Sequence, residues 1–329
     1  PQTAPSLRGM WGEAADRARR LDPEALKTFM EVARQGSFSA AAERLNKTPA
    51  AISYRIRALE DNMGTPLFER TTRSVTLTPA GELLLERATQ IFEWMQHLPE
   101  ELQQVNDGVE PRFHLVINNL LFNAEAVGRL LATLSRSFSH TAFRVRRAVY
   151  MGVWDEMVYG SGHFAIGIPG WHPISDAFET LPLGQIEWVL VRSPAHPLAG
   201  IQQPLTNDLL RQYPAVNVED TSERLSKRTA WLLPGQHEVL VPSLRAKIAA
   251  HVHGLGVGFL PRSIAEQYVR TRQLVIKQVR HGRTPSPMAL AWRREDSGRI
   301  GAYLQALFAA EDPLVSPFLN KIQRSPGLS

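Results

Sequence analysis

The chain has 329 residues, 43% of them apolar and 21% charged, with a net charge of +5 and no cysteine. Such values describe a globular protein of two or three domains. They exclude disulfides, thiolate zinc sites, cysteine nucleophiles and thiol redox switches, and the basic balance leans toward a polyanionic partner.

No apolar run approaches the ~20 residues of a membrane helix. The opening stretch PQTAPSLRGMWGEAADRARR lacks the apolar centre of a signal peptide, so residues 1–20 read as an extension and cytoplasmic residence is the expectation. Asp22-Pro23-Glu24 then opens a helix, with an N-cap, Pro at the first helical position and an acid in the first turn. Leu26, Phe29, Val32 and Ala33 follow at helical spacing, and Gly36 ends the run. Ser39 is the expected cap of a second helix over 40–45, with Ala41, Ala42 and Leu45 facing inward, and Asn46-Lys47 makes the turn.

Thr48-Pro49 is a second start signal. In the helix it opens, Ile52, Ile56 and Leu59 form a buried face, and Pro49, Ala50, Ser53, Tyr54 and Arg57 an outer one. Short side chains lead and long ones follow, which suits a helix entering the major groove by its N-terminus. A plain helical hairpin with a solvated polar face is the alternative. Against that alternative, Pro66-Leu67-Phe68 anchors the chain, Arg70 and Arg73 flank a turn, and 74–77 reads as a short strand. Residues 21–78 therefore read as a winged helix-turn-helix, with both arginines set against phosphates or in the adjacent minor groove.

The stretch GSFSAAAERLNKTPAAISYRIRALEDNMGTPLFERTTRSVTLTPAGE resembles the DNA-binding domain of LysR-type transcriptional regulators. The resemblance implies groove contacts from Thr48, Pro49, Ala50, Ser53 and Tyr54, and backbone contacts from Arg55, Arg70 and Arg73. Pro49 stands where the family often has Gln, and Tyr54 where it often has Arg or Lys. Both lost groups bond base edges, which shifts sequence readout toward Ser53, Arg57 and DNA shape.

Residues 79–108 read as one long helix. Leu84, Ala88, Ile91, Met95, Leu98, Leu102 and Val105 form a heptad seam, Pro99 is expected to kink it, and Asn106-Asp107-Gly108 stops it. The stripe either packs on its own domain or pairs two chains. The resemblance implies the latter, through Leu84, Ala88, Ile91, Met95, Leu98 and Leu102, giving a homodimer or homotetramer.

From Phe113 onward strands and helices alternate. Strands are expected at 113–117, 143–148, 164–168, 188–192, 215–218, 238–241, 257–260, 274–277 and 288–292. Helices are expected at 123–137, 152–159, near 222–231, at 243–253 and at 298–310. The pattern gives two α/β lobes over 109–329 with mainly parallel sheets, and the resemblance implies that they form a periplasmic-binding-protein-like effector domain. Lobe I is 112–190 with 288–320 and lobe II is 193–286, the chain crossing near Arg192 and returning near Pro287.

Ligands of such sheets sit at the carboxyl ends of strands. That rule selects Asn118, Asn119 and Leu120; Tyr150, Met151 and Trp154; Asn217, Glu219, Asp220 and Thr221; and Pro242 and Ser243. The family resemblance implies a small polar effector there. The run Gly254-Leu255-Gly256-Val257-Gly258 leaves a helix and enters a strand, the reverse of a dinucleotide fingerprint. His251 and His253 diverge on a helix, so no metal is expected, and no cofactor, nucleophile elbow or P-loop motif occurs. An enzyme is therefore not the expectation.

Stretches such as VINNLLFN, VYMGVWDEM and VNVEDTSERLSKRTAWLLPGQ are similar to the branch of the family that activates allantoin utilisation, within a group tied to purine and ureide catabolism. The expectation is a ligand-responsive activator with double-stranded DNA, a small polar effector and RNA polymerase as partners, and no membrane. A two-lobed solute-binding protein and an effector-independent architectural DNA-binding protein are the competing readings.

Overall fold

The computed structural model describes residues 18, 20–71, 74–295 and 297–324. The chain divides into two compact units between Leu102 and Gln103.

The first unit begins with α1 (Pro23–Gln35), whose N-cap Asp22 accepts from the Ala25 N–H at 2.7 Å and which ends on Gly36 in the left-handed region. Next comes α2 (Phe38–Leu45). Its cap is Ser37 and not Ser39: the Ser37 Oγ accepts from the Ala40 N–H, because Ser37 has the extended backbone a cap needs. Asn46, at φ 53°, closes the turn. Then α3 (Pro49–Met63) starts on Thr48, whose Oγ1 accepts from the Ala51 N–H at 3.1 Å. Strands β1 (Phe68–Arg70) and β2 (Val75–Leu77) pair antiparallel as the wing. Phe29, Val32, Ala41, Ala42, Ile52, Ile56, Leu59, Leu67 and Phe68 form one core, with the Phe29 and Phe68 rings 5.3 Å apart.

Helix α4 (Pro79–Asn106) continues through Pro99. Its first turns pack on this core through Leu84 and Leu85, and Ala88 is fully buried. Further along, Ile91, Met95, Leu98, Leu102 and Val105 are 44–62% exposed. A seam buried at one end and bare at the other is not fully consumed by its own domain.

The second unit contains β3 (Arg112–Asn118), α5 (Ala124–Ser137), β4 (Ala142–Ala148), α6 (Met151–Val158), β5 (Phe164–Pro169), β6 (Phe178–Ile186) and β7 (Trp188–Arg192). It continues with α7 (Asn207–Leu210), β8 (Ala215–Val218), β9 (Glu238–Val241), α8 (Leu244–Val252), β10 (Gly258–Pro261), α9 (Arg262–Arg270), β11 (Val275–Lys277), β12 (Ser286–Arg293) and α10 (Arg299–Ala309). Lobe I is a five-stranded sheet in the order β4-β3-β5-β12-β6. Lobe II holds the β10-β7-β11 sheet and the β8-β9 pair.

Four expectations require correction. The sheets are mixed: β3 is parallel to β4 and β5, and β8 to β9, but β12 runs antiparallel to β5 and β6, and β7 antiparallel to β10 and β11. Strand β6 and helices α7 and α9 lie outside the expected elements. The antiparallel pairings of β7 place it in lobe II, so the chain crosses at Glu187 and not near Arg192. Finally, 222–231 forms no helix. Carboxylates hold its backbone instead: Asp155 accepts from the N–H groups of Glu223, Arg224 and Leu225, and Asp220 from those of Ser222 and Arg228.

The two crossings differ in length. Glu187 alone separates β6 from β7, whereas residues 278–285 separate β11 from β12.

Candidate functional site

The first unit carries a polar, basic helix face. Thr48, Pro49, Ala50, Arg55 and Arg57 are exposed, Tyr54 is 76% exposed, and Ser53 is half-buried at the edge of the face. Opposite them, Ile52, Ile56 and Leu59 are buried, so core packing fixes which side chains point outward. The Thr48 hydroxyl oxygen accepts the cap bond, which leaves its O–H as a donor.

Glu60, which the sequence reading missed, ties this helix to the wing. Its Oε2 accepts from the Leu67 N–H at 2.8 Å and its Oε1 from Arg70 Nη2 at 2.7 Å. The Arg70 guanidinium also lies 4.9 Å from the Phe38 ring centre. Arg70, although exposed, thus already has one guanidinium nitrogen engaged within the domain. Arg73 lies outside the described residues.

In the second unit a cavity of about 510 Å³ opens between the lobes. Its walls include Asn118, Leu120 and Tyr150 of lobe I, Arg228 and Trp231 of lobe II, and the segment 282–288 that joins the lobes. A recess of about 10 Å³, room for one water, continues inward past Asn118, Asn119, Leu120, Tyr150, Trp188 and Lys247. Asn118 is buried and braced: its side-chain N–H donates to the Gly167 carbonyl at 2.8 Å, and its Oδ1 accepts from the Leu120 N–H at 2.9 Å. Tyr150 has φ 48° and ψ −122°, a backbone region that L-residues rarely adopt.

The cavity is cationic. Lys247 is 3% exposed, and its Nζ donates to the Phe259 carbonyl at 2.5 Å. Burial, with Arg283 nearby, pushes its pKa from 10.5 down to about 7. The Arg283 guanidinium stacks 3.5 Å from the Trp188 ring centre and donates to the Tyr150 hydroxyl at 3.3 Å. Burial lowers its pKa too. Nearby in lobe II, His251 is fully buried, and burial followed by Lys247 pushes it from 6.5 to about 3, which keeps it neutral.

Of the residues selected from the sequence, Asn118, Asn119, Leu120 and Tyr150 are brought together on these walls. The others are elsewhere. Trp154 is 3% exposed and packs edge-on against Phe178 in the lobe I core, because α6 turns that face onto the sheet. Asn217 lines neither chamber; its amide donates to the carbonyl of the wall residue Trp231 at 2.7 Å and to Glu238 at 2.8 Å. Glu219 is exposed and pairs with Lys227 at 3.5 Å. Ser243 caps α8 through the Ala246 N–H, and Pro242 lines neither chamber.

Met151, Asp220 and Thr221 form a latch between the lobes. Tyr150 offers α6 no side-chain cap, so Asp220 of lobe II accepts from the Met151 and Gly152 N–H groups, both at 3.1 Å. Thr221 Oγ1 accepts from the Val149 N–H at 2.9 Å. A carboxylate suits the positive end of a helix. Gly152 is required there, since a Cβ would lie 3.0 Å from the Thr221 carbonyl carbon.

The sequence reading missed Trp188, Arg228, Trp231, Lys247, Arg283 and Ser286. One signal was available. Lys247 and His251 fall in register with Leu244 on the buried face of α8, where a polar residue needs a reason.

Comparison with known proteins gives one consistent answer. A family model described as "Bacterial regulatory helix-turn-helix protein, lysR family" matches residues 23–82, and one described as "LysR substrate binding domain" matches 108–310. The "HTH-type transcriptional activator AllS" of Salmonella typhimurium is 46% identical over 300 residues, 91% of this chain and 97% of that one. The AllS of Klebsiella pneumoniae is 49% identical over 255 residues, 78% of this chain and 94% of that one. Among solved structures, a C206 mutant of Corynebacterium glutamicum OxyR has a TM-score of 0.55 at 20% identity, covering 91% of this chain and 94% of that one. At that identity the likeness concerns the fold.

Proposed function

The chain belongs to the LysR family of bacterial helix-turn-helix regulators, and from that membership we propose that it activates genes of allantoin utilisation in response to a small ligand. Two chains pair through the bare seam of α4 and present two α3 helices to a roughly palindromic site. Ligand in the interlobe cavity shifts the balance between two arrangements of the dimer or tetramer, which alters DNA bending and contact with RNA polymerase. A ligand does this only by binding the two arrangements unequally.

The observation that carries the reading is the pairing, in one chain, of a winged helix-turn-helix with a two-lobed cavity, in a sequence 46% identical over 91% of its length to a relative named as an activator. The seam supports pairing: fully burying a Leu, Ile or Met side chain is worth about 1.5–3 kcal/mol, and five such apolar side chains are half bare. The architectural alternative predicts no ligand response.

The test begins with DNA fragments selected by the full chain from a random-sequence pool. Anisotropy titrations across salt should fall log-linearly, with a slope of about −0.9 per neutralised phosphate. Arg55→Ala should weaken binding to all sequences and flatten that slope by about 1. A footprint unchanged in length and bend across every ureide and carboxylate supplied would refute the ligand response.

A further inference from the structure

The interlobe cavity holds more positive charge than the protein neutralises. Arg228 and Arg283 line the outer chamber and Lys247 the inner recess. Among the described residues, no Asp or Glu lines either chamber. The Arg283 Nη1 is buried without a hydrogen-bond partner, while Nη2 reaches only the Tyr150 hydroxyl. Lys247 has a backbone carbonyl as its partner, not a carboxylate. Asp220, beside Arg228 in the fold, already accepts from the N–H groups of Met151, Gly152, Ser222 and Arg228. Buried cations without counter-ions are costly, and a fold keeps them where a ligand supplies the opposite charge.

We propose that this cavity binds a small organic anion, with a carboxylate held by the Arg283 fork and the charges of Arg228 and Lys247 behind it. The proposal rests on the cavity being the effector site and names the chemical class that site takes. Three observations favour an organic carboxylate over inorganic phosphate. The N-terminus of α6, the kind of backbone seat a phosphate uses, is filled by Asp220. The rest of the outer wall is largely apolar, with Leu120, Pro169, Trp231, Pro285, Pro287 and Met288, and this surface suits a carbon skeleton. Trp188 covers one face of the guanidinium, leaving its in-plane edge for a planar, two-oxygen acceptor.

The test uses the full-length protein and two series of near-equal shape: oxalate, oxamate and oxamide; succinate, succinamate and succinamide. Inorganic phosphate is titrated alongside. Calorimetry and thermal shift at millimolar ligand should find a carboxylate that binds at least about tenfold more tightly than its neutral diamide. Arg283→Gln should lose that preference and Arg283→Lys retain part of it. The wild-type series stands alone should the variants fold poorly. Equal binding of acid and amide, no binding by any carboxylate, or tighter binding by phosphate than by every carboxylate would each overturn the proposal. A carboxylate that binds but leaves the DNA footprint unchanged refutes the effector reading and leaves the anion site standing. A neutral compound that occupies the cavity and changes the footprint does the reverse.

Discussion

Replacing Lys247 with Met should make the protein more stable and less able to bind ligand. Lys247 is buried, with its pKa drawn from 10.5 to about 7. At ~1.36 kcal/mol per pH unit, that drop corresponds to about 5 kcal/mol against folding when the group is charged in both states. Met fills a similar volume without the charge, but leaves the Phe259 carbonyl without this donor, a loss of about 1–3 kcal/mol. The net gain is about 3 kcal/mol near pH 6, or about 6–12 °C in Tm for a domain of this size. Between pH 7 and 10.5 the unfolded chain holds a proton that the folded chain has released. Wild-type stability therefore rises with pH across that window, and the advantage of Lys247→Met falls through zero and reverses by about 1–3 kcal/mol at its top, where only the lost hydrogen bond to Phe259 remains. Thermal melts from pH 6 to 10, run on both proteins, read this directly. A variant no more stable at pH 6, or an advantage independent of pH, would refute the argument. Carboxylate binding above pH 7 should also take up a proton, visible as buffer-dependent binding heat in wild type and absent in Lys247→Met.

Other outcomes follow from the same geometry. Gly152→Ala drives a methyl group into Thr221 and parts the latch, so the second unit should lose about 2–4 kcal/mol by chemical denaturation while the winged unit melts unchanged. Glu60→Ala removes the acceptor of both the Leu67 N–H and Arg70, and DNA affinity should fall by about 1–2 kcal/mol with the salt slope intact, since Glu60 meets no phosphate. His251 stays neutral in the fold down to about pH 3 but takes a proton at 6.5 when unfolded, so stability should fall as pH drops through that window. His251→Gln should flatten this dependence in melts from pH 7 to 4.

Legibility of the sequence followed the range of the interactions. Asp22, Thr48 and Gly36 mark helix ends by contacts within a few residues, and the chain text contains those contacts. The seam of α4 is equally local, because a heptad is a property of one helix. The cavity was legible only in lobe I, where Asn118 and Tyr150 follow strands whose neighbours lie near in sequence. Arg283 was invisible because it sits in a connector, and its meeting with Tyr150 joins residues 133 positions apart. The same distance explains 222–231: Asp155 holds the backbone of Glu223 and Arg224 from 68 and 69 residues away, and no local pattern records that. Trp154 misled for the opposite reason, since an aromatic residue beside a presumed site is more often part of the core that holds the site in place.

The unequal tethers between the lobes set the mechanics of any signal. Glu187, a single residue whose carbonyl accepts from the Arg262 N–H, makes a pivot with almost no slack. The second tether is an arm of eight residues, 278–285, bridged to Leu205 at its start through Gln278 and Arg280, and Arg283, Thr284 and Pro285 of that arm face the ligand chamber. A guest seated there meets the arm through Arg283, which stacks on Trp188 next to the pivot. On the ligand response proposed above, the short tether would serve as the fulcrum and the longer arm as the lever on which the guest pulls.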